Sequence, residues 1–426
     1  KYKHNYLKIN LKGPGKNTQG IGATVILNTV GGSQQFRYVN PVRGFMSSVD
    51  PVIHFGLKEL SQIENVEVLW PDGIKKRYQS IQINAVNTLD YKEGVSIQDA
   101  KKQAAQEPEL LQAYDAGIHF IHHEDYYTDF KREPIIHMKN STEGPALAIG
   151  DVNGDGTEDA FLGGAVGQAS ELYIQSNGTF KLSNQIVFKQ DSSYEDVSAT
   201  FIDIDQDKDL DLYVASGGYL WEKGNKMYQD RLYVNDGKGN FSKSSGLIPQ
   251  ENQNGSIAIP LDVNGDGKQD LFIGGGVTPA AYPYAEESFL LINKDGKYIN
   301  ETKSWFNENT SLGIVKDAVA KDFNNDGKLD LILCGEWMPI SIWINTGTRF
   351  ENKTKEFNLT GTEGWWQSVL LEDLDGDGDL DVVVSVQYNT TDVKFFTNNG
   401  SGILTALPGA TLNVGYVYDI IPGDYN

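Results

Sequence analysis

An acidic segment of nine residues recurs along the chain and carries the side chains best suited to binding a cation. In its first copy, residues 151–159, oxygen-bearing side chains stand at positions 1, 3, 5 and 9, and Gly156 at position 6 permits a sharp turn. Ca²⁺ prefers about 6–8 oxygen ligands, so the spacing predicts up to five structural calcium sites. The predicted side-chain ligands are Asp151, Asn153, Asp155 and Asp159; Asp203, Asp205, Asp207 and Asp211; Asp262, Asn264, Asp266 and Asp270; Asp322, Asn324, Asp326 and Asp330; and Asp373, Asp375, Asp377 and Asp381.

These loops differ from EF-hands, which need a bidentate glutamate at position 12 and two flanking helices. Position 12 is aliphatic in every copy, and each loop leads into a β-prone run such as residues 160–162. A metal-free turn is the alternative, because Asp and Asn also favour turns. Five copies with the same oxygen spacing favour metal, since the clustered carboxylates would otherwise repel each other. The second copy has Lys208 where the others have glycine, so metal binding there stays open.

The intervals between the acidic loops predict propeller blades. The first aspartates of successive copies lie 51–60 residues apart. Each copy has a short apolar strand before its loop and another after it, and the first four are followed by two more strands joined by a glycine-containing turn, as at Asn177-Gly178. Four antiparallel strands in a repeat of this length are typical of a propeller blade. The predicted fold class is therefore all-β, a small β domain followed by a propeller of four-stranded blades.

Residues 1–92 lack the acidic loop and are predicted to form the small β domain. The segments 50–57 (DPVIHFGL) and 66–73 (VEVLWPDG) resemble the ASPIC/UnbV domain. This resemblance implies a β fold but no established chemistry. Residues 93–117 are polar and helix-prone, and are predicted to be a linker with a short helix before a propeller at 118–426.

The repeats resemble the FG-GAP/VCBS family, whose acidic loops also occur in the propeller of integrin α-subunits. The resemblance implies Ca²⁺ bound by positions 1, 3, 5 and 9, and a seven-bladed propeller. Asp424 and Asn426 match positions 1 and 3 of a sixth loop, which predicts that the propeller is truncated here. The resemblance also implies a ligand role for the position 7 backbone carbonyls, those of Thr157, Asp209, Lys268, Lys328 and Asp379.

The composition limits the cellular compartments and the classes of partner that suit this protein. The formal net charge of −22 disfavours nucleic acid, whose binding depends on Lys and Arg neutralising phosphates. Cys334 is the only cysteine, and no apolar run is long enough to cross a membrane. Calcium loops of this kind suit a compartment rich in calcium, outside the cytosol. The order of an ASPIC/UnbV domain and a propeller resembles large surface proteins and lipoproteins of the Bacteroidota, which implies a cell-surface or outer-membrane complex and an anchor before Lys1.

The face opposite the acidic loops is the predicted ligand face. Aromatic residues concentrate in the connections that reach it, and Trp and Tyr are enriched at interfaces with proteins or glycans. Packing of these rings between blades is the alternative. The predicted ligand-face residues are Tyr219, Trp221, Tyr282, Tyr284, Trp337 and Trp365.

Sequence reasoning favours a non-catalytic binding or scaffold module. The alternative is a glycan hydrolase or lyase on a propeller scaffold, with Glu336 and Glu363 as its paired carboxylates. A purely structural subunit is a third possibility. His54 is predicted to be a core or structural histidine, with a catalytic base as the alternative. Strand alternation over residues 118–125 puts His119 and His123 on one face and His122 on the other, which disfavours a metal site.

Overall fold

The chain divides into two units, Lys1–Tyr114 and Asp115–Asn426. The computed structural model describes residues 4–44, 47–97, 115–386, 392–400, 403–407, 412–413 and 419–420. Most of the predicted helical linker, at 98–114, and the predicted start of a sixth loop lie outside these described residues.

Alternation of apolar and polar residues forms the strands of the first unit. In the strand Ile53–Lys58, for example, Ile53, Phe55 and Leu57 are buried while their neighbours are exposed. The strands are β1 (Asn5–Lys12), β2 (Thr24–Thr29), β3 (Gln34–Tyr38), β4 (Val42–Gly44), β5 (Ser47–Ser48), β6 (Ile53–Lys58), β7 (Ile63–Leu69), β8 (Lys75–Tyr78), β9 (Val86–Asp90) and β10 (Val95–Ser96).

These strands form two larger sheets around one core. One sheet has the order β6-β1-β9 and the other β10-β8-β7-β2-β3, with β4 and β5 as a separate hairpin. Leu7, Val25, Val66 and Trp70 are among the buried residues that join them. Residues 95–96, which the sequence analysis places in the linker, pair with β8 and so extend this sheet beyond residue 92.

The second unit contains consecutive four-stranded antiparallel sheets, which confirms the predicted blades. The first three are β11 (Leu147–Gly150), β12 (Asp159–Leu162), β13 (Glu171–Ser176) and β14 (Thr179–Ser183); β15 (Asp196–Ile202), β16 (Asp211–Ser216), β17 (Arg231–Asn235) and β18 (Phe241–Lys243); and β19 (Gly255–Leu261), β20 (Asp270–Gly275), β21 (Phe289–Asn293) and β22 (Tyr298–Asn300).

The fourth and fifth blades are hydrogen-bonded to each other through β24 and β27. They comprise β23 (Ile314–Lys321), β24 (Asp330–Met338), β25 (Ser341–Asn345) and β26 (Phe350–Asn352); and β27 (Gly364–Glu372), β28 (Asp381–Val386), β29 (Asp392–Thr397), β30 (Thr405–Ala406) and β31 (Leu412–Asn413). Two short helices, α1 (Ile186–Gln190) and α2 (Thr302–Trp305), lie in connections between blades.

Every acidic loop occupies the same place in its blade. It joins the first strand to the second, and the residue before position 1 pairs with the aspartate at position 9, as Gly150 does with Asp159. The first strands of successive blades lie side by side and line the centre of the propeller. All five loops therefore emerge on one face.

The residue at position 2 of each of the first four loops packs into the next blade. Val152 lies in the same apolar cluster as Tyr233 and Phe241 of the second blade, and Val263 in the same cluster as Trp343 of the fourth. In the fifth loop Leu374 is 47% exposed, because no described residue of a following blade lies against it. Formation of the first four loops is thus coupled to packing between blades.

Candidate metal centres and ligand face

Each acidic loop folds around the carboxylate at its first position. In the third loop, Asp262 Oδ1 accepts hydrogen bonds from the N–H groups of Gly265 (2.8 Å) and Asp266 (3.1 Å), while Oδ2 accepts from Gly267 (2.8 Å). The first and fifth loops repeat these three bonds. Positive φ angles at Gly265 and Gly267 allow this tight winding. Backbone N–H groups of the loop therefore hold the position 1 carboxylate in place at its centre.

The aspartate at position 9 lies buried beneath the loop. Asp270 Oδ2 accepts from Val263 N (3.1 Å) and Oδ1 from Asn293 N (2.8 Å). The other four loops make the equivalent pair of bonds. Burial raises the pKa of Asp211, Asp270 and Asp330 to about 6. A bound cation would offset this cost of burying a carboxylate.

The donor set of the loops fits a hard divalent cation. In the second loop Asp203, Asp205 and Asp207 offer carboxylate oxygens that all lie within 4.8 Å of one another, and the equivalent aspartates of the fifth loop do the same. Asp203 Oδ1 is buried without a hydrogen-bond partner. Oxygen-only ligands of this kind are those that Ca²⁺ and Mg²⁺ prefer. Each predicted ligand lies in its expected loop, and coordination of the metal stays a prediction.

Lysines modify two of the loops. Lys208 adopts a φ of +79°, so the second loop holds a side chain where the left-handed turn favours glycine. In the fourth loop Lys328 Nζ lies 3.0 Å from Asp326 Oδ2, a predicted ligand atom. Lys268 of the third loop instead pairs with Asp295, at 2.6 Å, and leaves its loop carboxylates open. The predicted ligand role of the position 7 carbonyls stays a prediction.

An asparagine at the end of the third strand connects neighbouring loops. Asn235 donates from its side chain to the Val152 carbonyl (2.7 Å), and Asn293 to the Ile204 carbonyl (2.7 Å), each in the loop of the preceding blade. Their backbone N–H groups bond the position 9 aspartate of their own blade. Sequence reasoning noted the turns after these strands but missed this role. The recurring signal is an asparagine at 235, 293, 345 and 398.

Residues 115–146, which we call the strap, run across the face opposite the acidic loops. Apart from one 3-10 turn, Asp129–Lys131, the strap has no regular structure until β11 begins. Its Asp129 is buried and accepts from the N–H groups of Asn140 (2.6 Å) and Ser141 (2.9 Å), which folds the strap back on itself. The strand predicted over residues 118–125 is wrong, because this segment bonds to side chains and loops instead of a neighbouring strand.

The strap contacts all five blades that the structure describes. Ala116 O accepts from Phe180 N of the first blade (2.7 Å), and Arg132 Nη1 donates to Tyr219 O of the second (3.0 Å). Glu133 Oε1 accepts from Tyr282 N beside the third (3.0 Å). Glu143 forms an ion pair with Lys316 of the fourth. His137 stacks on Trp365 of the fifth, with ring centroids 4.5 Å apart.

The predicted ligand-face residues differ in exposure. Tyr284 (73%) and Trp337 (55%) are exposed, and Trp221, Tyr282 and Trp365 are half-buried. Tyr219 is fully buried, so its prediction as a surface contact is wrong. It packs with Val277 and Ile314, and the Arg132 guanidinium lies 5.6 Å from its ring centroid. The strap thus covers part of this face and leaves Trp337 and Tyr284 open.

A polar and aromatic cluster surrounds Tyr282. Its hydroxyl accepts from Trp337 Nε1 (2.6 Å), lies 3.1 Å from His137 Nδ1 and donates to Glu336 Oε2 (3.0 Å). Burial, and then the nearby Glu336, raise the pKa of Tyr282 well above its usual value. Burial lowers the pKa of His137. The cluster holds the exposed Trp337 ring in place, 5.3 Å from Trp365 in an edge-to-face arrangement.

Glu336 and Glu363, the carboxylates of the alternative catalytic hypothesis, lie in different environments. Glu336 is buried, and its Oε1 lies 3.4 Å from Lys316 Nζ, whereas Glu363 is exposed. Burial lowers the pKa of Lys316, but Glu143 and Glu336 more than offset this and keep it raised. Lys316 also lines a central cavity of about 540 Å³ between the strap and the first strands. Glu336 is therefore committed to a salt bridge inside the fold.

The structure places the histidines singled out in the sequence in different environments. His54 lies on an exposed position of β6, so the prediction of a core histidine is wrong, because β6 alternates and places Ile53 and Phe55 inward. His119 and His123 are exposed, while the half-buried His122 lies 2.9 Å from Glu124 Oε1.

Family models match most of the chain. Residues 13–96 match the ASPIC and UnbV model; residues 151–214, 219–273 and 322–384 match the FG-GAP-like repeat; and residues 365–407 match the FG-GAP repeat. The chain therefore contains an ASPIC and UnbV domain followed by FG-GAP repeats, as the sequence predicts. FG-GAP repeats indicate a propeller that serves as a binding or scaffold module and mediates protein interactions.

Similarity to individual known proteins is low. No curated protein matches the chain. Among solved structures, it is similar to the crystal structure of exotype rhamnogalacturonan lyase YesX, with 10% identity and a TM-score of 0.37 over 93% of this chain. The chain spans 65% of that structure's length. In the part of the chain that the structure describes, no helix is long and apolar enough to cross a membrane.

Proposed function

We propose that this protein is an extracytoplasmic, calcium-stabilised binding module that holds a glycan or protein partner on the strap-bearing face, as a subunit of a cell-surface or outer-membrane complex. The observation that carries the calcium part is the common architecture of the five loops. Each gathers Asp and Asn oxygens above a buried position 9 aspartate, and each position 9 aspartate also bonds the third strand of its blade. Ca²⁺ in the loop would therefore join three strands of each blade.

The exposed aromatic residues support the binding part of the proposal. Trp337 presents its ring to solvent while its indole N–H is held by Tyr282, so little side-chain freedom is left to lose on binding. Its φ of +58° is rare for a residue with a large side chain, and such strain concentrates at ligand sites. Trp337 and Tyr284 together offer ring faces suited to a sugar or to an apolar side chain.

The proposal is of a non-catalytic module. Glycoside hydrolysis requires two carboxylates on either side of the scissile bond, both reachable by substrate. Here Glu336 is buried against Lys316 and Tyr282. Release of unsaturated or reducing sugar ends from a polysaccharide panel, lost in Glu336→Gln, would contradict this part of the proposal.

Affinity electrophoresis through gels that contain soluble polysaccharides, with excess Ca²⁺, tests whether the partner is a glycan. We expect retardation by at least one polysaccharide, weakened by Trp337→Ala and unaffected by Phe36→Ala, an exposed aromatic of the first unit. Site-specific photo-cross-linking from position 284 in the native cell envelope tests the protein arm. Absence of both glycan retardation and a cross-linked partner would overturn the binding role of this face.

A further inference from the structure

Three metal-ligating side chains converge between the strap and the second blade. His122 and Glu124 lie on the strap, and Glu195 immediately precedes β15. Each offers one ligand atom, and these atoms all lie within 4.8 Å of one another. Glu195 lies far from the other two residues in the sequence, so the tertiary fold brings it to them.

The cluster contains buried polar atoms without partners. Glu195 is only 4% exposed; its Oε2 accepts from Val166 N (2.9 Å), but its Oε1 has no hydrogen-bond partner. Glu124 Oε2 and His122 Nδ1 are buried and equally unsatisfied. An unsatisfied buried polar atom typically costs about 1–3 kcal/mol. A ligand that accepts electron pairs from these atoms would remove that cost.

The charge of the cluster is not balanced by a described lysine or arginine. Among the described residues, neither Glu124 nor Glu195 forms an ion pair with lysine or arginine, and the nearby Arg231 is paired with Asp196 instead. The fold therefore brings two carboxyl groups together, and His122 is the basic side chain that contacts one of them.

A single glutamine holds the strap in register with the cluster. Gln168 Oε1 accepts from His123 N and its Nε2 donates to Ile121 O, both at 2.8 Å, so it brackets His122 on either side. Gly218 lies against the side chain of Glu195, where an added Cβ would approach its Cγ to 3.0 Å. The residues around the cluster thus fix its geometry from both the strap and the blade.

We propose that His122, Glu124 and Glu195 bind a first-row divalent transition metal, with Zn²⁺ as the best fit, which holds the strap to the second blade. Zn²⁺ accepts imidazole nitrogen and carboxylate oxygen as ligands, and three protein ligands leave a further position for water. Ligand distances of about 2.0–2.2 Å place neighbouring ligand atoms roughly 3–3.5 Å apart, so small side-chain shifts close the site.

This site is separate from the acidic loops in position and chemistry. The loops emerge on the opposite face and offer only oxygen ligands, which suit Ca²⁺. Imidazole favours Zn²⁺ and its neighbours in the first transition row. Excess Ca²⁺ therefore occupies the loops without displacing a metal from His122, which allows the two kinds of site to be measured independently.

The test is Zn²⁺ binding to the full chain after chelation, in excess Ca²⁺, measured by competition with a chromophoric chelator. We expect one tight site in the wild type, weakened by more than about tenfold in His122→Gln, because loss of a ligand costs at least as much as loss of a residue that supports one. Glu195→Gln should weaken Zn²⁺ binding by a similar factor. His123→Gln, which changes the exposed neighbouring side chain, should keep wild-type affinity.

Hydrogen exchange supplies a second readout that loose surface binding would not give. Zn²⁺ should slow exchange of the strap amides around 120–125 in the wild type and leave them unchanged in His122→Gln. Circular dichroism identifies any variant that fails to fold, and His122→Gln lies on the strap outside the blade cores. No Zn²⁺ site, or equal affinity in wild type and His122→Gln, would overturn the proposal and leave a proton shared between Glu124 and Glu195 as the explanation of the cluster.

Discussion

The side-chain amide of Asn345 donates a 2.8 Å hydrogen bond to the main-chain carbonyl of Val263, in the acidic loop of the neighbouring blade. The backbone N–H of Asn345 also donates to Asp330 Oδ1, beneath the loop of its own blade (2.8 Å). One asparagine therefore connects two candidate metal loops. Cation binding in a loop and packing between blades should stabilise each other.

Replacing Asn345 with alanine should destabilise the propeller by about 1–3 kcal/mol, because the buried carbonyls that it bonds lose their donor. Urea unfolding in excess Ca²⁺ measures the change in the free energy of unfolding. Thr348→Ala, at an exposed position in the same turn, is the matched control and should change it by less than about 0.5 kcal/mol. Equal stabilities of the two variants would show that the contact between blades contributes nothing.

The second loop should be improved by Lys208→Gly. Lysine at a φ of +79° is strained, and its charge competes with a bound cation. We expect a gain of roughly 1 kcal/mol in stability and a larger response of the melting temperature to Ca²⁺. Gly267→Lys in the third loop is the reciprocal change, with open space around the added Cβ, and should cost a similar amount. If Lys208→Gly increases neither the stability nor the response of the melting temperature to Ca²⁺, the backbone at Lys208 is not strained.

The loops and blades could be predicted because their signals are local. Oxygen spacing, glycines and the apolar runs on either side lie within one repeat, and the register that pairs Gly150 with Asp159 follows from the loop length. The asparagine contacts between blades were missed, although Asn345 and its equivalents recur. Their partners lie more than 80 residues away, and a single sequence carries no signal for such a pairing.

The strap was missed for a different reason. Residues 118–125 have the composition of a strand, but no neighbouring strand is available to pair with them, so the segment lies along the blades and bonds to residues such as Gln168. Tyr219 looks like a surface aromatic in the sequence because the residue that covers it, Arg132, belongs to this irregular segment. Tertiary contacts alone decide its burial.

At position 337, glycine should give a more stable protein than alanine, which reverses the usual order of these two substitutions. At a φ of +58° glycine is unstrained, whereas alanine retains part of the strain. We expect Trp337→Gly to be more stable than Trp337→Ala by about 0.5–1 kcal/mol, although both lose ligand binding. Thermal unfolding of the two variants checks this. A more stable alanine variant would show that the backbone at residue 337 is relaxed.

Asp317 should make stability depend on pH. Burial raises its pKa from 3.8 to about 6, and Ser368 Oγ lies between its Oδ2 (2.9 Å) and Asp419 Oδ1 (3.0 Å). Because the folded state holds this proton more tightly than the unfolded state, its contribution is full below pH 4 and is lost as the pH rises to about 6. Between those limits the wild type should lose about 2–3 kcal/mol relative to Asp317→Asn.

Urea unfolding of both proteins across this pH range tests the effect of Asp317. The difference between them cancels the pH dependence of the acidic loops, which both proteins share. Glu363→Gln, at an exposed carboxylate, should follow the wild type. Parallel curves for wild type and Asp317→Asn would show that folding does not shift the pKa of Asp317.

Thermal unfolding with and without EGTA, followed by addition of Ca²⁺, tests the central claim most directly. A site saturated a hundredfold above its Kd adds about 2.7 kcal/mol, which corresponds to roughly 4 °C in a unit of about 300 residues. We predict that EGTA lowers the melting temperature of the propeller by at least this much and that Ca²⁺ restores it. A melting temperature unchanged by chelation and by added Ca²⁺ would contradict the account and leave the five loops as metal-free turns.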